Sequence, residues 1–89
     1  MTRQEFKKKA KENIDSLFQQ VDQLEEKAME VKGDAKDRIQ VKLKALREQK
    51  EDLNEKLNNL EESTEENWTR MVNAFSNGLE SFKKTLHSN

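Results

Sequence analysis

Apolar residues recur along this chain at steps of three and four, and one stripe takes in almost all of them. It runs through Phe6, Ala10, Ile14, Leu17, Val21, Leu24, Ala28, Val31, Ala35, Ile39, Leu43, Leu46, Lys50, Leu53, Leu57, Leu60, Thr64, Trp68, Val72, Phe75, Leu79, Phe82 and Leu86. Of these 23 positions 21 are apolar, where random placement at the same overall composition gives about seven. Only Met1, Phe18, Met29, Val41, Ala45, Met71 and Ala74 are apolar and lie off it. The stripe covers 80 residues in 22 steps. That is about 3.64 residues per step, an α-helical period slightly longer than that of a heptad seam. Ile14 to Ala35 follows strict heptads, whereas Phe6 to Leu17 and Ala35 to Leu46 each advance by 11, stutters that straighten a supercoil. The pattern also overlays on itself at a shift of 29 residues, as in Leu17, Leu46 and Phe75. Eight helical turns give about the same number, so the overlay reads as helical geometry rather than a sequence repeat.

A stripe this narrow serves one seam, which is what a helix needs when its neighbours are one or two other helices. In water a lone helix would expose it. The covering helix must come from the same chain folded back, from another copy, or from another protein. The residues expected to form this helix-association seam are Ile14, Leu17, Val21, Leu24, Val31, Ile39, Leu43, Leu46, Leu53, Leu57, Leu60, Trp68, Val72, Phe75, Leu79, Phe82 and Leu86. Lys50 sits among them, where a long stem can pack while the ammonium reaches water, or where a polar group can set register.

Two places carry stop or start chemistry. At Gly33-Asp34, glycine can end one helix and Asp34 can cap the next; the alternative is a glycine tolerated inside a helix at about 1 kcal/mol. The phase of the stripe is unbroken there, which favours continuity. At Ser63-Thr-Glu-Glu66 the Ser and the Glu three residues later form a capping box, and Thr64 places a polar group on the stripe, so a break is expected. Asn77-Gly78 resembles a hairpin turn, yet Phe75, Leu79, Phe82 and Leu86 keep helical spacing across it. The expected fold is therefore all-α within residues 1–89: a long helix over about 3–62 and an amphipathic helix over about 64–87, forming a helical hairpin or coiled coil. A three-helix bundle with turns at Gly33 and Ser63 is the alternative.

Composition narrows the function. In 89 residues, 31% are hydrophobic and 39% charged, and the net charge is −1. Little apolar material is left for a broad core, and no bulk charge draws the chain to nucleic acid or an anionic membrane. There is no Cys and one His, which excludes disulfides and thiolate metal sites and leaves little for zinc. No apolar run follows the charged N-terminus, so no secretory signal is read. The longest uncharged run, Met71 to Leu79, is nine residues, far short of the roughly 20 that span a membrane. A cytoplasmic chain is expected, in which the sequon Asn67-Trp68-Thr69 goes unused.

Four local features carry candidate chemistry. Arg3, Lys7, Lys8, Lys9 and Lys11 oppose Glu5 alone near the N-terminus, a run that suits either a phosphate-rich surface or a solvated helix face. Trp68, Met71, Val72, Phe75, Leu79, Phe82 and Leu86 make an amphipathic C-terminal helix with Arg70, Lys83 and Lys84 against Glu80. Such a helix can lie on a lipid surface, dock in a partner's groove, or pack on the long helix. Glu61, Glu62, Glu65 and Glu66 cluster without the turning glycine of a calcium loop. His87 reads as an exposed helix-terminal side chain. No phosphate-cradling loop, metal-ligand spacing or nucleophile-base pair is found, so neither cofactor, metal nor catalytic residue is assigned and the chain is read as a non-enzyme.

The run Ala35-Lys-Asp-Arg-Ile39 with Leu43, Leu46-Arg-Glu-Gln-Lys50, Leu53, Lys56-Leu57 and Leu60, then Ser63-Thr-Glu-Glu-Asn-Trp68 and Gly78-Leu-Glu-Ser-Phe-Lys-Lys84, resembles the small bacterial coiled-coil proteins described as stress-response proteins of a cyanobacterial type. The likeness spans about residues 14–86. Thr64 stands where that family has a small residue, and Leu79 where it has a second Trp. The resemblance implies a small helical protein accumulated under stress, with no catalytic residues to carry over. Together these readings point to a coiled-coil interaction protein that associates with itself or with another helical protein. Peripheral binding to a membrane surface is the alternative, and nucleic acid is not expected as a partner.

Overall fold

A computed structural model describes residues 2–88. It holds three helices, α1 (Arg3–Glu30), α2 (Asp34–Glu61) and α3 (Trp68–His87), and no strand among the described residues. They run up, down and up as a bundle with principal extents of 50 × 17 × 17 Å. The length fits helices of 28 residues, which span about 42 Å at 1.5 Å per residue. This is the three-helix alternative, with two corrections to the favoured reading.

The first correction is at Gly33. The long helix expected over 3–62 is interrupted: α1 ends at Glu30, Val31 and Lys32 are not helical, and α2 begins at Asp34. Gly33 takes φ +68 and ψ −142, a conformation L side chains rarely adopt. Its carbonyl accepts from the N–H groups of Lys36 and Asp37 at 3.1 and 3.2 Å, so Gly33 itself is the N-cap. Asp34 and Asp37 lie in the first turn, where the helix dipole favours negative charge. Folding back covers a stripe that a rod over 3–62 would leave in water, and that burial outweighs phase continuity.

The second correction is the start of the last helix, at Trp68 rather than 64. Ser63 does not cap it. Its hydroxyl donates back to the carbonyl of Leu60 at 2.6 Å, closing the end of α2. The Asn67 side chain instead accepts from the N–H and the hydroxyl of Thr64 at 2.9 and 3.1 Å, which closes a tight turn ahead of Trp68. Thr64 is exposed. Across Gly78 the helix continues, as the spacing predicts.

The core is one cluster. Ala10, Ile14, Leu17, Val21 and Ala28 from α1, Leu43, Leu46, Leu53, Leu57 and Leu60 from α2, and Phe75, Phe82 and Leu86 from α3 are all buried. Every one of them belongs to the stripe. Two devices set the helix spacing. A Cβ added at Gly78 would meet Lys56 and Leu53 at 3.1 to 3.3 Å, so glycine lets α3 lie close on α2. Between α1 and α3, where close backbone approaches are few, rings fill the gap. Phe6 meets Trp68 and Phe75 edge-on at 5.6 and 6.4 Å, and Phe18 meets Phe82 at 5.7 Å.

Candidate functional site

The predicted seam is divided among the three helices, with Val31 just past the end of α1, and the structure turns it toward one interior. Ile14, Leu17, Val21, Leu43, Leu46, Leu53, Leu57, Leu60, Phe75, Phe82 and Leu86 are buried, and Leu24, Val31, Ile39, Trp68, Val72 and Leu79 are half-buried. The neighbour that covers them is the same chain. Lys50 is half-buried, and its ammonium lies 4.8 Å from the centre of the Phe18 ring. That cation–π contact accounts for a charge inside the stripe without an ion pair.

The geometry leaves one end of the bundle incomplete. With 20 residues, α3 is shorter than its neighbours. It ends level with Leu24 on α1 and Lys42 on α2: Leu86 and His87 line a shallow recess with Leu24 and Lys27, and the Lys42 ammonium donates to the Ser88 carbonyl at 2.6 Å. Beyond that level the α1–α2 hairpin continues for nearly two turns with no third helix against it. A cleft of about 670 Å³ opens there, lined by Leu24, Ile39, Val41, Ala45 and Thr85 and rimmed by Lys27, Asp37, Arg38 and Lys42. Among the described residues, the two most exposed large apolar side chains, Met29 at 77% and Val41 at 72%, belong to this same end of the hairpin. Both lie off the stripe. In the sequence, an apolar residue off the stripe is the signal for such an outward-facing position.

The other candidate features are distributed along the opposite end and the surface. Arg3 and Lys7 stand 5.9 and 6.0 Å from the Trp68 ring, and the Lys7 ammonium donates to the Glu61 carbonyl at 2.9 Å, capping α2. These two cations are engaged in holding the fold, while Lys8, Lys9 and Lys11 are exposed. The aromatic face of α3 is directed inward: Phe75 and Phe82 are buried, and Trp68 packs on Phe6. Glu61, Glu62, Glu65 and Glu66 are exposed around the second turn, and His87 is exposed in the last turn of α3. Among the described residues no group of three or more His, Asp or Glu is close enough to hold a metal ion, and no helix is long and apolar enough to cross a membrane. Sequence reasoning missed the N-cap at Thr2, whose hydroxyl accepts from the Glu5 N–H at 3.1 Å. Thr2-x-x-Glu5 carries the signature of such a cap.

Comparison with protein-family models, with curated proteins and with solved structures finds no match to this chain. The geometry therefore stands by itself. It offers one apolar cleft with a charged rim, positioned where a helix is missing from an otherwise three-sided bundle.

Proposed function

We propose that this chain is a non-enzymatic interaction protein that acts by helix–helix association, in the manner of a coiled coil, with a helix of another polypeptide. The observation that carries the reading is the open end of the hairpin. There the groove that α3 fills lower down continues past the end of α3, and Leu24, Ile39, Val41 and Ala45 line it. A groove that accepts one helix along its length has the width and apolar lining to accept a second end to end with it. The rim of Lys27, Arg38 and Lys42 against Asp37 alone favours an occupant whose flanks are acidic. The stress-response family that the sequence resembles consists of small coiled-coil proteins, which agrees with a role of this class. Membrane-surface binding has less support, because the aromatic face it needs is spent on the core.

Val41→Lys tests the reading. Val41 is 72% exposed, so the charge leaves folding intact while placing an ammonium in the cleft. Wild-type protein is expected to associate across micromolar to millimolar concentrations in sedimentation equilibrium, or to retain a helical partner on an affinity column. Val41→Lys is expected to lose the part of that association that runs through the cleft, read as loss of the retained helical partner, at unchanged helicity. A wild-type chain that remains a 10.5 kDa monomer throughout and retains no helical partner would sink the proposal.

A further inference from the structure

The cross-hairpin contacts do not centre on the turn. Lys7 reaches Glu61, Phe18 lies under Lys50, and Glu25 pairs with Arg47. The midpoints of these pairs fall at residues 34, 34 and 36, whereas the chain leaves helical conformation at 31–33. The first turn of α2 therefore stands beyond the end of α1. Ala35, a stripe residue near the midpoint of this register, is exposed, and its stripe neighbours Val31 and Ile39 are only half-buried.

The stripe itself is symmetric about the same point. Val31 and Ile39, Ala28 and Leu43, Leu24 and Leu46, and Leu17 and Leu53 lie at matching distances, within one residue, on either side of Ala35. A helix unbroken from 3 to 61 would thus present a continuous seam to an antiparallel copy of itself, in the register that α1 and α2 already use. On the two-fold axis Ala35 would face Ala35 of the second copy, and Val31 of each chain would face Ile39 of the other. Residues left in water by the folded-back chain would be covered, and a small side chain would sit where two backbones cross most closely. Each α3 can stay on its own α2, against which it is packed most closely.

We propose that the chain self-associates by exchanging α1 between two copies, with residues 31–33 straightening into helix and Gly33 acting as the switch between the folded-back monomer and a rod-shaped dimer. The proposal rests on the reading of the protein as an association module and specifies its mode with a second copy. Gly33 holds the monomer through its backbone alone, since a Cβ there would meet nothing within 4 Å. Alanine at that position penalises the φ +68 turn and favours continuous helix in both copies, so Gly33→Ala should raise the dimerisation constant by about a thousandfold. Asp34→Pro acts the other way. Proline suits the first residue of α2 and breaks a helix that continues through it, so dimerisation by exchange should fall by a factor at least as large.

The experiment is sedimentation equilibrium with small-angle scattering on the full chain and both variants. Gly33→Ala is expected as a helical dimer about 90 Å long, from 59 helical residues at 1.5 Å each, and Asp34→Pro as a particle near the 50 Å length of the bundle. The chain has no Cys, so Ala35→Cys provides an independent readout. It should form a disulfide-linked dimer under mild oxidation more readily than Val41→Cys, which is off the axis. A helical Gly33→Ala that remains monomeric overturns the exchange, as does one that loses its helicity, because an available rod would keep the chain folded. A Gly33→Ala dimer of bundle length overturns the exchange while leaving the association reading standing. Val41→Lys separates the two further: it should abolish docking in the cleft yet leave exchange intact, since Val41 lies off the stripe.

Discussion

At the scale of single residues, the polar groups drawn into the bundle are few and have identifiable consequences. No polar or charged residue is fully buried among those described, yet the Gln49 side-chain oxygen is sequestered and finds no hydrogen-bond partner. A desolvated acceptor without a donor costs about 1–3 kcal/mol, whereas an apolar side chain of similar shape carries no such penalty. Gln49→Met is therefore expected to stabilise the protein by about 1 kcal/mol, which raises Tm by about 4–8 °C in a domain of this size. Thermal unfolding followed by circular dichroism checks it; a fall in Tm would mean that Oε1 is satisfied in solution. Lys50 shows the contrary case. Its charge looked anomalous on the stripe, but the ring beneath it comes from Phe18, an off-stripe residue that periodicity alone assigned to no face.

At the scale of elements, helix interiors were legible and helix ends were not. Period reports which face of a helix is apolar, and all thirteen buried core residues lie on the face it marks. It is silent on whether the chain reverses between two helices, because folding back at Gly33 needs no change of phase within either arm. The glycine was visible; that it would adopt φ +68 depended on how much seam the reversal covers, a tertiary quantity. The same holds at Ser63, where a capping-box sequence yielded to the competing hydrogen bond to Leu60 and to the Asn67 turn. The spacing across Gly78 predicts helix and α3 continues through it, but the use of the glycine emerges only from packing. With Lys56 and Leu53 at 3.1 to 3.3 Å from its implied Cβ, the α2–α3 spacing accepts a methyl only if these side chains give way by a few tenths of an ångström. Gly78→Ala should be close to neutral, as about 1 kcal/mol of helix propensity offsets a shift of the flexible Lys56 end. Gly78→Leu should destabilise by about 2 kcal/mol through overpacking. Urea unfolding of the two variants measures the contrast, and equal midpoints would show that the helices are not closely apposed there.

At the scale of the whole molecule, the three interfaces are unequal, and this inequality predicts how the bundle opens. Close approaches are densest between α2 and α3, intermediate between α1 and α2, and sparse between α1 and α3, where aromatic rings span the gap. The least secured helix is α1, and its release leaves the best-packed pair intact. Native-state hydrogen exchange should therefore show the interior amides of α1 (Arg3–Glu30) exchanging through a sub-global opening while those of α2 and α3 require global unfolding. Ile14, 2% exposed on α1, supplies the control. Ile14→Ala removes about 2–4 kcal/mol of packing, and the loss should appear in α1 protection before it appears elsewhere. Uniform protection across all three helices would mean that the bundle opens only as a unit. An α1 that detaches by itself provides the intermediate from which exchange between copies can begin, and an exchange that requires full unfolding would instead proceed at the global unfolding rate.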